Sequence, residues 1–135
     1  MKAYRQAATL DPSWFEAEYN CAAMAYRSGD VSTALSAYER ALAIEPDSTN
    51  ARYNFALALK AGGYMLDAVN ELKKMAATNP RDARLQLALA NLYAQELREP
   101  AFAREHYLKV LELEPHNSEA NNIRFWLSAN PPETK

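Results

Sequence analysis

Few residues in this 135-residue sequence could carry out chemistry. His106 and His116 are separated by ten positions, and neither has a cysteine or another histidine at the spacing of a zinc site. Cys21 is the single cysteine, so the sequence allows no internal disulfide and no cysteine zinc site. We expect surface or partly packed histidines and a buried, inert Cys21 thiol, which is the usual state of a free cysteine.

Other signatures of enzymes are also missing. Gly62-Gly63 lacks the Lys-Ser or Lys-Thr pair that follows a phosphate-binding loop. Glu16 and Glu18 are two residues apart, so on a helix they point to different faces, and we expect both to be solvated. The sequence therefore predicts a protein that is not an enzyme, with no catalytic residues, no metal and no cofactor.

The composition is that of a folded, helical chain. Hydrophobic residues make up 49%, and only 3 glycines interrupt a sequence rich in good helix formers. The net charge of -2 and a longest basic run of only Lys73-Lys74 argue against a nucleic-acid partner, because binding to phosphates needs a basic surface. No apolar stretch is long enough to cross a bilayer, so we predict no direct membrane insertion.

The elements that must position any functional residues recur along the chain. Four prolines are separated by 34, 34 and 35 residues: Pro12, Pro46, Pro80 and Pro115. Each follows a run of helix-forming residues and pushes the residue before it out of the helical region, so each proline ends a helix. Three alanines keep the same period, at Ala34, Ala68 and Ala103. The sequence therefore predicts a repeated structural unit.

Each unit is predicted to be a pair of antiparallel helices. The first two turns contain glycine, at Ser28-Gly29-Asp30 and Gly62-Gly63-Tyr64, and glycine accepts the left-handed backbone that ends a helix. The recurring alanines allow the paired helices to approach closely where they cross. The third turn has no glycine and the third unit has one extra residue, so we predict a longer loop there, with Pro100 in the first turn of the next helix.

These residues resemble the tetratricopeptide repeat (TPR) family. Its unit has small residues in the first helix, a Gly-Asp type turn, an Ala-x3-aromatic-x2-Ala stretch in the second helix and a closing proline. The first unit carries these features at Tyr19-Asn20, Ala22, Gly29-Asp30, Ala34, Tyr38, Ala41 and Pro46. The resemblance implies an all-α fold, a right-handed superhelical array of antiparallel helix pairs (an α-solenoid), and a protein–protein interaction scaffold without catalysis.

The resemblance also implies the domain organisation. We expect a single domain over residues 1–135, with repeats at 15–48, 49–82 and 83–117. Residues 1–12 match only the second half of a repeat, so we expect the chain to be a piece of a longer array. We expect residues 118–129 to form a capping helix, started by Asn117 or Ser118 as N-cap, and residues 130–135 to form a tail.

In the family, the first helix of each repeat lines a concave groove that binds other proteins. In the first repeat these positions hold Glu16, Tyr19, Asn20, Ala23, Tyr26 and Arg27. In the second they hold Asn50, Tyr53, Asn54, Leu57, Lys60 and Ala61. In the third they hold Arg84, Leu87, Ala88, Asn91, Ala94 and Gln95, and the last helix adds Glu119, Asn122, Ile123 and Trp126.

Within this set we expect an apolar surface with spaced amides, which suits a bound peptide because amides both donate and accept hydrogen bonds. The residues expected to contact a partner are Tyr19, Asn20, Tyr53, Asn54, Leu57, Arg84, Leu87 and Asn91. The alternative for each is a packing role, with the tyrosines between repeats and the asparagines bonded to neighbouring backbone.

One specialisation of the family does not match. Chaperone-binding members hold a C-terminal carboxylate with Lys, Asn and Arg residues at fixed groove positions. Those positions hold Tyr19, Ala23, Asn54, Arg84 and Ala88 here, which match only at Asn54 and Arg84, and a shift by one repeat gives no match. We therefore expect a protein or peptide partner other than chaperone C-terminal tails.

Two other functions remain open. A self-assembling structural module would pair through the exposed N-terminal half repeat. The other is an RNA-binding helical repeat, but the net negative charge of the chain argues against it because RNA phosphates are bound by basic residues. The default expectation for the compartment is cytoplasmic and soluble, since Met1 to Leu10 has no signal-peptide core, but a targeting segment in a longer parent chain would change it.

Overall fold

A computed structural model describes residues 13–133 of the chain. These residues form seven α-helices and one π-helical segment: α1 Ser13–Arg27, α2 Val31–Ile44, α3 Thr49–Ala61, α4 Met65–Thr78, α5 Ala83–Asn91, the π-helical segment Leu92–Glu96, α6 Pro100–Leu113 and α7 Ala120–Ala129. No strand occurs between residues 13 and 133, so the prediction of an all-α helical repeat is confirmed. The half repeat predicted at residues 1–12 lies outside the described residues.

The chain divides into two compact units, and the boundary falls inside α4, between Glu71 and Leu72. The described part of unit one is residues 13–71, and that of unit two is residues 72–133. None of the described helices is long and apolar enough to cross a membrane. The repeat boundaries given by the sequence stay a prediction.

Polar side chains start three of the helices. The carboxylate of Asp30 accepts the N–H of Thr33 at 3.2 Å, and the hydroxyl of Ser48 accepts the N–H of Ala51 at 3.2 Å. Asp82 does the same for α5, where its Oδ1 accepts the N–H of Arg84 at 3.0 Å. Each cap satisfies a backbone donor that has no partner within its helix, which is typically worth about 1 kcal/mol.

Glycine ends α1 and α3 as the sequence predicts. Gly29 has a φ of 87° and Gly63 a φ of 88°, both in the left-handed region. In the first turn Gly29 donates to the carbonyl of Tyr26 at 3.1 Å, and Asp30 donates to the carbonyl of Ala25 at 2.8 Å. These two bonds close the helix end, and the same pair of bonds closes the second turn.

The third turn contains the extra residue of the third repeat. The turns are closed by backbone N–H groups spaced by 34 and 35 residues: those of Asp30, Tyr64 and Glu99. Their carbonyl acceptors are spaced by 34 residues both times: Ala25, Leu59 and Tyr93. The insertion therefore lies between Tyr93 and Glu99.

A π-helical turn absorbs this insertion. After α5 the helix widens over Leu92–Glu96, and the N–H of Leu97 donates to the carbonyl of Leu92 at 2.9 Å. A π-helical turn accommodates one residue more than an α-helical turn while keeping its backbone bonded. Arg98 then takes the left-handed position, with a φ of 54°. The structure thus extends the helix where we expected a longer loop, and Pro100 begins α6 as predicted.

The core of unit one is built mainly from alanine. Six buried residues form one cluster: Ala22, Ala25, Ala34, Ala37, Tyr38 and Ala58. Alanine carries only a methyl group, so α1, α2 and α3 can approach closely, and Tyr38 fills the remaining space. Burial raises the pKa of Tyr38 to about 12, because the charged phenolate would be poorly solvated there.

Unit two uses larger aliphatic residues. Leu85 and Leu89 of α5, Val110 of α6 and Ile123 of α7 are all buried. Here α6 packs against both α5 and α7. The N-cap prediction for α7 was wrong, because Glu119 precedes the helix, while Asn117 accepts the N–H of Glu119 at 2.8 Å in the turn before it.

Two other sequence predictions were wrong in unit one. Glu18 is completely buried rather than solvated, and its Oε2 pairs with Nε of Arg40 at 2.5 Å. Cys21 is exposed rather than buried. Both errors concern which face of α1 packs against α2. Glu18 lies on that face and pairs with Arg40 of α2, whereas Cys21, three residues later, is exposed.

The position of Glu18 is polar in every repeat. Residues 34 apart at this position are Glu18, Arg52 and Gln86. Each bonds to a second-helix side chain of its own repeat: Glu18 to Arg40, Arg52 to Glu71 at 2.8 Å and Gln86 to His106 at 2.7 Å. Each helix pair is therefore joined by a polar contact at this position.

Candidate functional site

A cleft in unit two lies between α5 and α7 and has a volume of about 260 Å³. One wall is formed by Leu87, Asn91 and Gln95, which follow each other at four-residue intervals on one face of α5 and its π-helical extension. The other wall is formed at α7 by Glu119, Asn122, Ile123 and Trp126, and Tyr107 of α6 completes the lining. We call this site the α5–α7 cleft.

The α5–α7 cleft has an apolar base and a polar rim. Ile123 is buried and Trp126 is half-buried, whereas Gln95, Glu119 and Asn122 are exposed. The ring of Trp126 lies against Tyr107, with ring centroids 5.0 Å apart. The volume is below the 300–1,000 Å³ or so of pockets that enclose drug-sized ligands, so it fits one or two side chains of a larger partner.

Tyr107 fixes the orientation of an amide in the wall. Its hydroxyl donates to Oδ1 of Asn91 at 2.6 Å, so the amide hydrogens of Asn91 remain as donors. Burial raises the pKa of Tyr107, and the negative charge of Glu119 raises that pKa further. The phenol therefore stays protonated near neutral pH and acts as a fixed hydrogen-bond donor to Asn91.

Glu119 gives the α5–α7 cleft a negative charge. It is the one carboxylic acid in the lining, and no lysine or arginine lines the cleft. Its Oε1 is 3.5 Å from Nδ2 of Asn122, a long hydrogen bond. None of the ion pairs among residues 13–133 includes Glu119.

The structure brings together some of the groove residues predicted for unit two and separates one of them. Leu87 and Asn91 line the α5–α7 cleft with the residues mapped to the last helix. Arg84 does not line it; its guanidinium bonds to the carboxylate of Asp82 at 3.1 Å, at the start of α5. Sequence reasoning missed Tyr107, because its position matches that of the core residue Tyr38, and only the fold shows that its hydroxyl reaches Asn91.

In unit one, the predicted residues Tyr19 and Asn54 bond to each other. Nδ2 of Asn54 donates to the hydroxyl of Tyr19 at 2.6 Å. The Tyr19 ring stacks on Phe15 at 5.8 Å and meets the edge of Tyr38 at 6.0 Å. Tyr19 is therefore half-buried against the alanine core, and the Asn54 amide is already engaged by a side chain of the preceding repeat.

The other predicted positions of unit one are more accessible. Asn20 is exposed, and Tyr53 and Leu57 are half-buried. Asn20 lies on α1, and Tyr53 and Leu57 lie on α3. Their role as partner contacts stays a prediction, as it does for Tyr19 and Asn54.

The described residues hold no arrangement suited to metal binding. Between residues 13 and 133, no three His, Cys, Asp or Glu side chains are grouped so that they could hold an ion. His106 is buried, bonds to Gln86 and stacks on Tyr93 with ring centroids 5.7 Å apart. Burial lowers the pKa of His106, because the charged imidazolium is poorly solvated at this position.

Comparison with known families agrees with this architecture. The model of the tetratricopeptide repeat matches residues 25–92, which is half of the chain. The chain belongs to the tetratricopeptide repeat family. The TPR match runs from the end of α1 through α5, and so covers the first two glycine turns and the first half of the third repeat. A search of curated proteins found no match.

Solved TPR structures share the fold. The first TPR of Spaghetti (RPAP3), bound to the HSP90 peptide SRMEEVD, is 22% identical with a TM-score of 0.75, over 88% of this chain and 94% of that one. The type III secretion chaperone SycD of Yersinia enterocolitica, in complex with a peptide of the translocator YopD, is 18% identical with a TM-score of 0.77, over 89% and 94%. The Arabidopsis OM64 TPR domain is 17% identical with a TM-score of 0.75, over 95% and 99%.

Proposed function

We propose that this TPR protein is an interaction module that binds a peptide segment of a partner protein, and that the α5–α7 cleft is one of its contact sites. The observation that carries the proposal is the lining of this cleft, where an apolar base of Leu87, Ile123 and Trp126 lies below exposed amides. An apolar side chain of the partner gains free energy on entering the base. The rim amides can bond to the partner's backbone, which otherwise would lose its hydrogen bonds to water.

Two structural neighbours support a peptide as the ligand. RPAP3 and SycD were each solved with a peptide bound, and both share this fold at TM-scores of 0.75 and 0.77. The fold is thus compatible with peptide binding. The chemistry of the ligand must come from this chain's own residues, since sequence identity to both is low. No catalytic step forms part of the proposal.

The side chains argue for a ligand other than a chaperone C-terminal tail. An acidic tail needs cationic groups around its carboxylates. Arg84 is one of the two matching positions, and its guanidinium is bonded to Asp82. The other is Asn54, whose amide bonds to Tyr19. In the α5–α7 cleft, Glu119 would repel a carboxylate.

The experiment is a selection of binders from a random peptide library, followed by measurement of dissociation constants by fluorescence anisotropy. Asn122→Trp should fill the cleft and weaken selected peptides by about tenfold or more, a loss typical of a blocked central contact. Asn121→Trp is the matched control, because Asn121 is the adjacent exposed residue of α7 and does not line the cleft. It should change the dissociation constant by less than about twofold.

The proposal fails if the chain selects no peptide above background. It also fails, as regards this cleft, if Asn122→Trp and Asn121→Trp bind the selected peptides equally well. The double variant Tyr53→Ala/Asn54→Ala tests the predicted contacts of unit one. If it binds every selected peptide as tightly as the wild type does, those two residues are not part of the site.

A further inference from the structure

The charge distribution around the α5–α7 cleft favours one type of side chain in a bound peptide. The exposed carboxylate of Glu119 has no basic neighbour in the lining, and no ion pair of residues 13–133 neutralises it. An unpaired carboxylate beside an apolar base is solvated in the free protein. On binding it would lose part of that solvation, which is unfavourable unless the ligand provides a counter-charge.

Two arginines of unit two that bond to the backbone around α7 are directed away from this carboxylate. The guanidinium of Arg124 donates to the carbonyl of Pro115 at 3.0 Å, and that of Arg104 donates to the carbonyl of Asn130 at 3.1 Å. These backbone bonds hold both side chains at the ends of α7. Neither arginine is bonded to Glu119, so a cation that pairs with Glu119 in a complex would come from the ligand.

The aromatic groups of the cleft suit the same ligand chemistry. Trp126 and Tyr107 form a tilted pair at its base, and the face of a tryptophan attracts a cation more strongly than any other side-chain ring. A cation that sits against Trp126 and bonds to Glu119 gains from both interactions. A lysine ammonium is a compact, strongly hydrated charge, whereas a guanidinium is planar and stacks on aromatic faces.

The hydrogen-bond inventory favours a guanidinium in particular. Glu119 is acceptor-only when ionised, and the side-chain carbonyls of Gln95 and Asn122 add further acceptors around the rim. A guanidinium has five N–H donors and no acceptor, so it can bond to a carboxylate and to an amide oxygen at once. A carboxylate ligand would instead face Glu119.

We propose that the α5–α7 cleft binds an arginine side chain of the partner peptide, with its guanidinium between Glu119 and the ring of Trp126. This inference rests on the proposed peptide-binding function and adds the residue class that the ligand must present. An aliphatic neighbour of the arginine would occupy the apolar base at Leu87 and Ile123. The partner is thus a basic, amphipathic segment.

The test uses three fluorescein-labelled heptapeptides, Ala-Leu-Ala-Xaa-Ala-Leu-Ala, in which the central residue is Arg, Gln or Glu. The Arg peptide should bind the full chain about five- to tenfold more tightly than the Gln peptide, as expected for one partly exposed ion pair with an aromatic contact, and the Glu peptide should bind most weakly. Raising the salt concentration should narrow the difference between Arg and Gln, because salt screens exposed charges.

The matched variants are Glu119→Gln and Glu112→Gln. Glu119→Gln keeps the shape of the side chain and removes its charge, so it should reduce the preference for Arg over Gln to the part that the ring of Trp126 supplies. Glu112→Gln removes an exposed charge from α6 outside the cleft and should leave the preference unchanged. Thermal melts of both variants should match the wild type, which separates a loss of charge recognition from a loss of folding.

The outcomes separate the two proposals. The arginine inference is overturned if the Arg and Gln peptides bind equally, if the preference is as large in Glu119→Gln as in the wild type, or if no heptapeptide binds while library-selected peptides do. In each of those cases peptide binding itself stands. Failure of the library selection, by contrast, overturns the peptide-binding function.

Discussion

The buried ion pair between Glu18 and Arg40 predicts an asymmetric response to substitution. The carboxylate of Glu18 is 0% exposed, whereas the side chain of Arg40 is 25% exposed. Oε2 of Glu18 bonds to Arg40, and Oε1 has no hydrogen-bond partner among the described residues. Glu18 therefore depends on the guanidinium for compensation of its charge, while Arg40 retains access to water.

The magnitudes follow from this difference. Arg40→Met keeps the aliphatic stem and leaves a buried carboxylate without its counter-charge, which should cost about 3–5 kcal/mol of unfolding free energy. Glu18→Leu removes the buried charge and leaves a guanidinium that can turn toward solvent, so its cost should be below about 1 kcal/mol or should become a gain. The double variant should be close to the wild type, since it places two apolar residues where the pair was.

The assay is a double-mutant cycle with urea unfolding followed by circular dichroism. At about 3 °C per kcal/mol for a chain of this size, Arg40→Met should lower the melting temperature by roughly 10 °C or more. Arg27→Met, at the exposed end of α1, is the control and should shift stability by less than about 0.5 kcal/mol. Equal costs for Arg40→Met and Glu18→Leu, or a cost below about 1 kcal/mol for Arg40→Met, would refute the reasoning.

Three further predictions concern stability. The lowered pKa of His106 means that the unfolded chain binds its proton more readily, so stability is full above pH ~6.5 and falls as pH drops below it. His106→Gln should therefore flatten the dependence of the unfolding free energy on pH between pH 7.5 and 5.5, while exposed His116→Gln should leave that dependence in place. Arg98→Gly should raise the unfolding free energy by about 1 kcal/mol because it relieves the left-handed backbone, and an unchanged or lower urea midpoint would contradict this. Ala34→Leu should cost about 1–3 kcal/mol by overpacking the fully buried helix crossing, and a melting temperature equal to that of Ala43→Leu, on the exposed face of α2, would show that the crossing has room.

The period of the sequence was sufficient to predict the helical repeat. Helix ends depend on residues close together in the chain, so Gly29 and Gly63 could be assigned to left-handed turns and Pro100 to the start of a helix. The same period located the extra residue in the third repeat. It could not show that a π-helical turn absorbs it, because that choice depends on how α5 and α6 pack.

The candidate site was partly predictable for the same reason. Residues spaced by four on a helix share a face, so Leu87, Asn91 and Gln95 could be grouped from their positions in the repeat. The family resemblance also placed Glu119 and Trp126 in the same groove, but that they enclose one cleft with Leu87, with Tyr107 bonded to Asn91, appears only in the fold. These contacts join helices that are separated by a turn or a whole helix in the sequence.

What the sequence alone determined is therefore the kind of structure: a series of amphipathic helix pairs whose ends and crossings are set by glycine, proline and alanine. The tertiary structure decided the state of each polar side chain. Glu18 is buried against Arg40, Asn54 bonds to Tyr19, and Arg84 turns to Asp82. Each outcome depends on which group comes within about 3 Å in the folded chain, a distance that the spacing of residues along one helix does not determine.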